Sequence, residues 1–287
     1  MSTIVIILSV ATAWLALAFV AAWLDRIRIR EASHFEVTLI VGLMHLLARF
    51  QHNLRVEGRE HIPARSRIDG ENEEGLLIVA NHTAGIDPML VQSAFRYEAR
   101  WMMAEDMRAP ILEWLWQLGR IIFVDRENGS GASVREALRH LKRGGCIGLF
   151  PEGHIERPPN HLLPFKEGVG VIAGRAGVAV VPVVIEGTPQ ADPAWASLWR
   201  PSQSVVRFLP ALRYQREQSP AEITADLERV FRDATGWPTP TRLPKIIDGE
   251  LYYVGMDGHY HSASGKPGPL PDELAGVCEN QDGGGAA

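Results

Sequence analysis

The chain has 287 residues, a formal net charge of -5 with histidines neutral, and a hydrophobic content of 46%. That length holds one sizeable core, or one core with an anchor and a tail. The acidic balance argues against a general nucleic-acid binder. Cys146 and Cys278 supply neither a disulfide framework nor a C-x-x-C metal site, and they fit a reducing compartment.

Residues 3–24 carry no charge and are rich in Ile, Val, Leu, Ala and Trp. About 20 such residues suffice to cross a hydrocarbon core. Trp23 sits where an indole favours the interface, and Arg26, Arg28 and Arg30 follow at once, which places the rest of the chain in the cytosol. A cleaved signal peptide wants its positive charge before the apolar run, so an uncleaved anchor fits better. Residues 37–47 form a second apolar stretch, too short to span comfortably, which reads as an interfacial or core helix. Residues 57–74 are polar and read as a loop, so the soluble fold is expected to start near Leu54.

Four apolar residues, Leu76, Leu77, Ile78 and Val79, predict a buried strand that stops at Asn81-His82. Gly85 marks a turn. Asp87-Pro88 opens a helix, with Asp suited to the N-cap and Pro to the first helical position. Helices follow over 89–97 and from Pro110, with a strand over 100–103 between them. The second helix is apolar on nearly every side, so Trp114 and Trp116 either line a channel for an acyl chain or pack in the core. The run Gly119-Arg-Ile-Ile-Phe-Val-Asp-Arg126 ends a strand on an Asp-Arg pair. Ser133-Val-Arg-Glu136 has the form of a capping box, and Gly144-Gly145 stops the helix that it starts.

Cys146-Ile-Gly-Leu-Phe150 predicts a strand ending in Pro151-Glu152-Gly153-His154. A Pro-rich loop over 156–164 leads to a small-residue helix over 169–177. Within it, Gly168-x-Gly170-x-x-Ala173 imitates a dinucleotide fingerprint, but a loop precedes it, so its glycines are assigned to close packing. Strands are predicted over 178–185 and 204–209. Ser219-Pro-Ala-Glu222 is a second capping box, starting a helix to about Ala234. Residues 248–261 suggest a hairpin around Asp257-Gly258, and the Gly- and Pro-rich remainder reads as disordered.

Short apolar strands alternating with helices predict an α/β fold: a mixed, mostly parallel central sheet flanked by helices, with an N-terminal membrane-anchoring helix. The implied organisation is an anchor and interfacial helix over 1–53, a catalytic domain over 54–245, and a hairpin and tail over 246–287. Three polar clusters (81–87, Asp125-Arg126 and Glu152-Gly153) each follow a strand at its carboxyl end, where open α/β sheets form ligand clefts. A carboxylate on one ring nitrogen of His82 would fix its tautomer and free the other nitrogen to take a proton.

In that order, the clusters resemble the motifs of the PlsC-type glycerolipid acyltransferases, the family of lysophosphatidic acid acyltransferase. Asn81-His82-x-x-x-x-Asp87 resembles the first motif and Gly119–Arg126 the second. Phe150-Pro151-Glu152-Gly153 resembles the third and Val181-Pro182-Val183 the fourth. The resemblance implies acyl transfer from acyl-CoA or acyl-carrier protein, as co-substrate, to a lyso-lipid or glycerol phosphate hydroxyl at a membrane. No cofactor or metal is implied. His82 would be the general base and Asp87 its orienting partner. Arg126 would bind phosphate, and Asn81, Phe150, Pro151, Glu152 and Gly153 would line the acceptor site. Lys166 either faces an anionic headgroup or is simply solvated.

The sequence also departs from that family. The third motif runs on into His154-Ile155-Glu156-Arg157 rather than Thr and a nearby Arg. Met103-Ala104-Glu105 and Glu186 stand where basic residues are more usual. Each change removes or shifts positive charge near the acceptor pocket, so an acceptor less anionic than lysophosphatidate, or an amino-acid-containing lipid, stays open. Among rival classes, a lipid hydrolase would want a G-x-S-x-G elbow, which is absent. A metallohydrolase using His82, Asp87, His154 and His161 would lack any standard zinc spacing. A lipid-binding protein that keeps the fold without catalysis is the remaining alternative.

Overall fold

The computed structural model describes residues 35–64, 67–68, 72–125, 131–156, 159–191, 193–239, 245–247, 250–254 and 260–262, with eight helical positions between 9 and 22. The strands are β1 Arg55–Glu57, β2 Arg67–Ile68, β3 Asn72–Glu73, β4 Leu76–Ala80, β5 Ala99–Ala104, β6 Ile122–Val124, β7 Cys146–Leu149, β8 Ala179–Glu186, β9 Val205–Phe208, β10 Lys245–Ile247, β11 Glu250–Val254 and β12 Tyr260–Ser262. The helices are α1 Phe35–Leu46, α2 Asp87–Ala94, α3 Glu113–Leu118, α4 Gly131–Lys142, α5 Gly168–Ala176 and α6 Pro220–Thr235.

Seven strands form the main sheet in the order β1-β9-β8-β4-β7-β5-β6. From β8 to β6 every pairing is parallel, while β9 runs antiparallel to β8 and carries β1 parallel to itself. The fold is therefore mixed α/β and mostly parallel, as expected. β4 lies at its centre, flanked by β8 and β7, and all five of its residues are buried. A strand covered on both faces needs a continuous apolar run rather than alternation, which is what Leu76, Leu77, Ile78 and Val79 provide.

One face packs Ile78, Val181 and Val183 with Leu90 and Val91 of α2. The other packs Leu77, Val79 and Val180 with Leu141 of α4, Ile172 of α5 and Phe231 of α6. α6 has the capping box read from its sequence: the Glu222 amide donates to Ser219 Oγ at 3.2 Å, and the Ser219 amide donates to Glu222 Oε2 at 2.8 Å. The glycines of α5 serve packing, since a Cβ on Gly170 would lie 2.0 Å from the Pro220 carbonyl oxygen.

Several expectations change. α4 already begins at Gly131, so Ser133 lies inside the helix and its capping box does not start it. The helix expected from Pro110 is broken into a 3-10 turn, Pro110–Leu112, and the short α3. Its apolar side chains do not enter the core: Ile111 and Trp114 are exposed and Trp116 is half-buried. The polar stretch 57–74 holds a 3-10 turn and the β2-β3 ladder rather than loop alone. The expected hairpin is a three-stranded ladder, β10-β11-β12, whose turn residues 255–259 lie outside the described residues.

The second apolar stretch is helical and runs on into a π-turn, Leu47–Gln51, just before β1. Within 3–24 the described positions are helical, and Trp14, Leu15, Leu17 and Val20 among them are exposed. Among the described residues no helix is long and apolar enough to cross a membrane. Arg126, Arg157, Cys278 and the tail 263–287 lie outside the described residues.

One side chain ties the central strands together beyond the ladder. Asn81 is fully buried, its Nδ2 donating to the Ile185 carbonyl at 3.0 Å and its Oδ1 accepting the Ile185 amide at 2.7 Å. It acts as one more rung between β4 and β8. Asn81→Leu keeps the bulk but strands a buried N–H and C=O, so it should cost roughly 2–4 kcal/mol of stability. Urea unfolding checks this, and an unchanged midpoint would show that the rung contributes nothing.

Candidate active site

Parallel strands end at a common edge, and the polar clusters gather there. The register pairs Val79 with Leu149 of β7, and Ala80 with Val183 of β8. The residues after β4 and β7 thus emerge side by side, at a central position in the sheet.

The turn after β4 closes on one carboxylate. Asp87 Oδ2 accepts His82 Nδ1 at 2.9 Å, the Thr83 amide at 2.6 Å and the Ala84 amide at 2.8 Å. Its Oδ1 accepts Thr83 Oγ1 at 3.1 Å. Since that hydroxyl gives its proton to Asp87, it accepts in turn from Thr188 Oγ1, just past β8. Gln190 Nε2 donates to the Thr83 carbonyl at 2.9 Å, pinning the turn from the same side. Asp87 is therefore not the expected N-cap. It is the first residue of α2, with Ile86 preceding it and no side-chain cap. Its carboxylate turns back into the 82–87 turn because the buried charge finds its donors there, next to a favourable helix N-terminus.

Asp87 is fully buried, whereas the His82 side chain keeps 18% of its exposure. Among the described residues nothing hydrogen-bonds His82 Nε2. The arrangement fixes Nδ1 as the protonated nitrogen and leaves Nε2 to act on a proton from outside.

A second carboxylate holds the backbone of this histidine. Glu152 Oε1 accepts the His82 amide at 3.0 Å and Oε2 accepts the Leu163 amide at 3.2 Å. Glu152 is fully buried, between the histidine turn and the loop before α5. Burial pushes its carboxyl well above the ordinary carboxylate range, with nearby Glu156 adding to the rise. The two backbone N–H donors pull it back, and Asp87 adds a last push upward. Glu156, also buried, fastens the same loop: its amide donates to the His82 carbonyl at 2.7 Å, and its Oε1 accepts the Asn160 amide at 2.9 Å.

The imidazole ring rests on Phe150, with centroids 4.1 Å apart and planes 14° from parallel. Gly153 has φ +71°, a left-handed turn that a side chain would strain. The Lys166 side chain crosses that glycine closely enough that a Cβ there would sit 2.9 Å from Nζ. The Lys166 amide donates to the Pro151 carbonyl at 2.9 Å.

Of the residues singled out by sequence, His82, Asp87, Phe150, Pro151, Glu152, Gly153 and Lys166 thus form one connected set. Asn81 is joined to it through the chain, but both its polar atoms are taken by β8. Glu186, one of the departures, is paired with Arg207 at 3.1 Å. Thr83, Thr188 and Gln190 were not singled out. The signal for Thr188 was its position, two residues beyond a strand ending at the same edge.

Residues 53–186 match the family described as Acyltransferase. A 1-acyl-sn-glycerol-3-phosphate acyltransferase of Limnanthes alba is 27% identical over 72% of this chain and 70% of its own length. Its Limnanthes douglasii counterpart is also 27% identical, over 55% of this chain and 54% of its own length. An N-acylphosphatidylethanolamine synthase of Arabidopsis thaliana is 29% identical over 41% of this chain and 46% of that protein. The chain spans only about half the length of the latter two. In fold, it is similar to the crystal structure of the 1-acyl-sn-glycerophosphate acyltransferase PlsC from Thermotoga maritima, with TM-score 0.55, 23% identity, and coverage of 80% of this chain and 94% of that one. Residues 53–186 are thus similar to the acyltransferases in sequence, and the fold is similar to that of PlsC.

The raised Glu152 carboxyl makes a signed prediction. In the window above the ordinary value of 4.5, the folded state holds a proton that the unfolded chain has released, so this group lowers stability as pH rises. Measured by urea unfolding from about pH 5 to about pH 8, the wild type should lose stability relative to Glu152→Gln. A difference that stays flat, or that runs the other way, would contradict a buried and reluctant acid.

Proposed function

We propose that this protein is a membrane-bound O-acyltransferase that moves an acyl chain from acyl-CoA or acyl-carrier protein to a hydroxyl of a lysophosphatidate-like lyso-lipid. The observation that carries the reading is the His82–Asp87 pair, with its carboxylate sealed and its imidazole still open on one side. His82 Nε2 takes the proton of the acceptor hydroxyl as that oxygen attacks the thioester carbonyl. The tetrahedral intermediate collapses, the C–S bond breaks, and the thiolate leaves with the proton returned by the imidazolium. Asp87 holds the tautomer and steadies the transient positive charge. The thioester is already activated, so no acyl-enzyme is required.

Arg126 and Lys166 are proposed to hold the anionic headgroup, Arg126 on its place in the second motif alone. Phe150, Pro151, Glu152 and Gly153 shape the acceptor side of the site, and Asn81 supports it from beneath. The apolar stretch 3–24, followed by three arginines, supports an N-terminal anchor with the catalytic domain over 54–245 on the cytoplasmic face of the bilayer.

A second acceptor class is favoured by specific residues. Met103-Ala104-Glu105, His154-Ile155-Glu156-Arg157 and Glu186 depart from the more basic pattern of the family, and one relative is named N-acylphosphatidylethanolamine synthase. A less anionic lyso-lipid, such as an amino-acid-containing lipid, is the acceptor that this charge pattern suits.

His82→Ala should lower acyl transfer by at least about 10²–10⁴-fold, the range of general-base catalysis, with the circular dichroism spectrum unchanged. Labelled acyl-CoA with lysophosphatidate, glycerol phosphate and neutral lyso-lipids, run in parallel, reads both the activity and the acceptor class. Undiminished turnover in the folded variant would remove His82 as the base.

A further inference from the structure

Polar groups hold His82 at both ends: Asp87 fixes Nδ1, while the Glu152 carboxylate and the Glu156 amide fix the backbone. One hydrogen bond at Nδ1 holds the ring plane only loosely, and a small coupled change in χ1 and χ2 shifts Nε2 while that bond persists. What stops it is the face of Phe150, and Phe150 needs a backing of its own because it is only partly buried.

That backing is Trp101 on β5, stacked behind Phe150 with centroids 5.1 Å apart and planes 18° from parallel. The register sets Trp101 beside Gly148 of β7, two residues before Phe150 on the same sheet face. The indole lies flat across that glycine, where a Cβ would meet its ring carbons at 2.8 Å. A continuous column therefore runs from the sheet backbone at Gly148, through Trp101 and Phe150, to the imidazole.

The indole is not retained for hydrogen bonding. Trp101 is 7% exposed, and its buried Nε1 finds no acceptor among the described residues. An unpaired buried donor is a cost that Phe or Leu would avoid. A site that keeps such a cost is using the ring for something else.

We infer that Trp101 is a positioning residue for the reaction, setting the plane of the His82 imidazole through Phe150, with Gly148 keeping the space that the indole needs. This inference rests on His82 acting as the base. Trp101 touches no substrate in this account. It acts by keeping Nε2 on the line of the incoming hydroxyl, where a displacement of about 1 Å can cost 10²-fold in rate.

The test uses the full chain, with palmitoyl-CoA and lysophosphatidate in mixed micelles, and compares Trp101→Phe, Trp101→Leu, Gly148→Ala and the Gly148→Ala/Trp101→Leu double variant. Trp101→Leu should lower kcat about tenfold and leave KM within about twofold, while Trp101→Phe restores most of the rate. Gly148→Ala should resemble Trp101→Leu. The double variant should be no worse than Trp101→Leu alone, because the added methyl has lost the ring it collides with.

Histidine-labelled NMR gives a readout independent of turnover. The His82 ring resonances, assigned by their loss in His82→Gln, should move in Trp101→Leu and stay near their wild-type position in Trp101→Phe. Unchanged kcat and unmoved His82 signals in folded Trp101→Leu would overturn the inference, as would a rise in KM alone. If the wild type itself transfers no acyl group, the acyltransfer reading fails, and the NMR comparison still decides whether the column orients the ring.

Discussion

The site depends on one fully buried carboxylate whose two oxygens are both supplied with hydrogen-bond donors. Asp87 collects the imidazole, two backbone amides and the Thr83 hydroxyl, and Thr188 supports that hydroxyl from the next strand. A polar group buried at such depth without partners would be costly. With these partners both oxygens are satisfied, and the turn from His82 to Asp87 has little freedom left. The amides and hydroxyl come from the turn itself, so charge and conformation stabilise each other.

The sheet supplies the rest. Because β4, β7 and β8 are parallel and in register, the histidine turn, the Phe150–Gly153 segment and the Thr188–Gln190 segment emerge from adjacent strands. Glu152 then bridges the first of these to the loop before α5, and Asn81 locks β4 to β8 directly beneath. The two carboxylates do different work as a result. Asp87 faces the imidazole and orients it, while Glu152 faces backbone amides, and its burial makes ionisation costly. One is suited to chemistry and the other to holding shape.

The strands from β4 to β9 were legible in the sequence as mainly apolar runs bounded by polar or glycine residues, with β4 and β7 the clearest, whereas β1, β2 and β3 lie in polar sequence and were not. α6 was legible from its capping box, which the helix uses, whereas the same pattern at Ser133 falls inside α4. A local pattern marks a helix start only when the preceding backbone leaves the helix, and tertiary packing decides that. The Pro110 segment misled for a related reason: an apolar composition does not say whether the ring of Trp114 turns inward. His82 and Asp87 stood out because their spacing has chemical meaning. The distinct tasks of Asn81 and Glu152 could not be read, since both depend on partners about a hundred and about seventy residues away, as does the column from Gly148 to His82.

Everything proposed for the chemistry requires that His82 carry its proton on Nδ1, toward Asp87, and present a bare Nε2. Nitrogen-15 NMR of histidine-labelled protein above neutral pH tests this directly. The account predicts a protonated Nδ1 and an unprotonated Nε2 for His82, with the preference lost in Asp87→Asn. A proton found on Nε2 in the wild type, or a mixture of tautomers indifferent to Asp87, would contradict it.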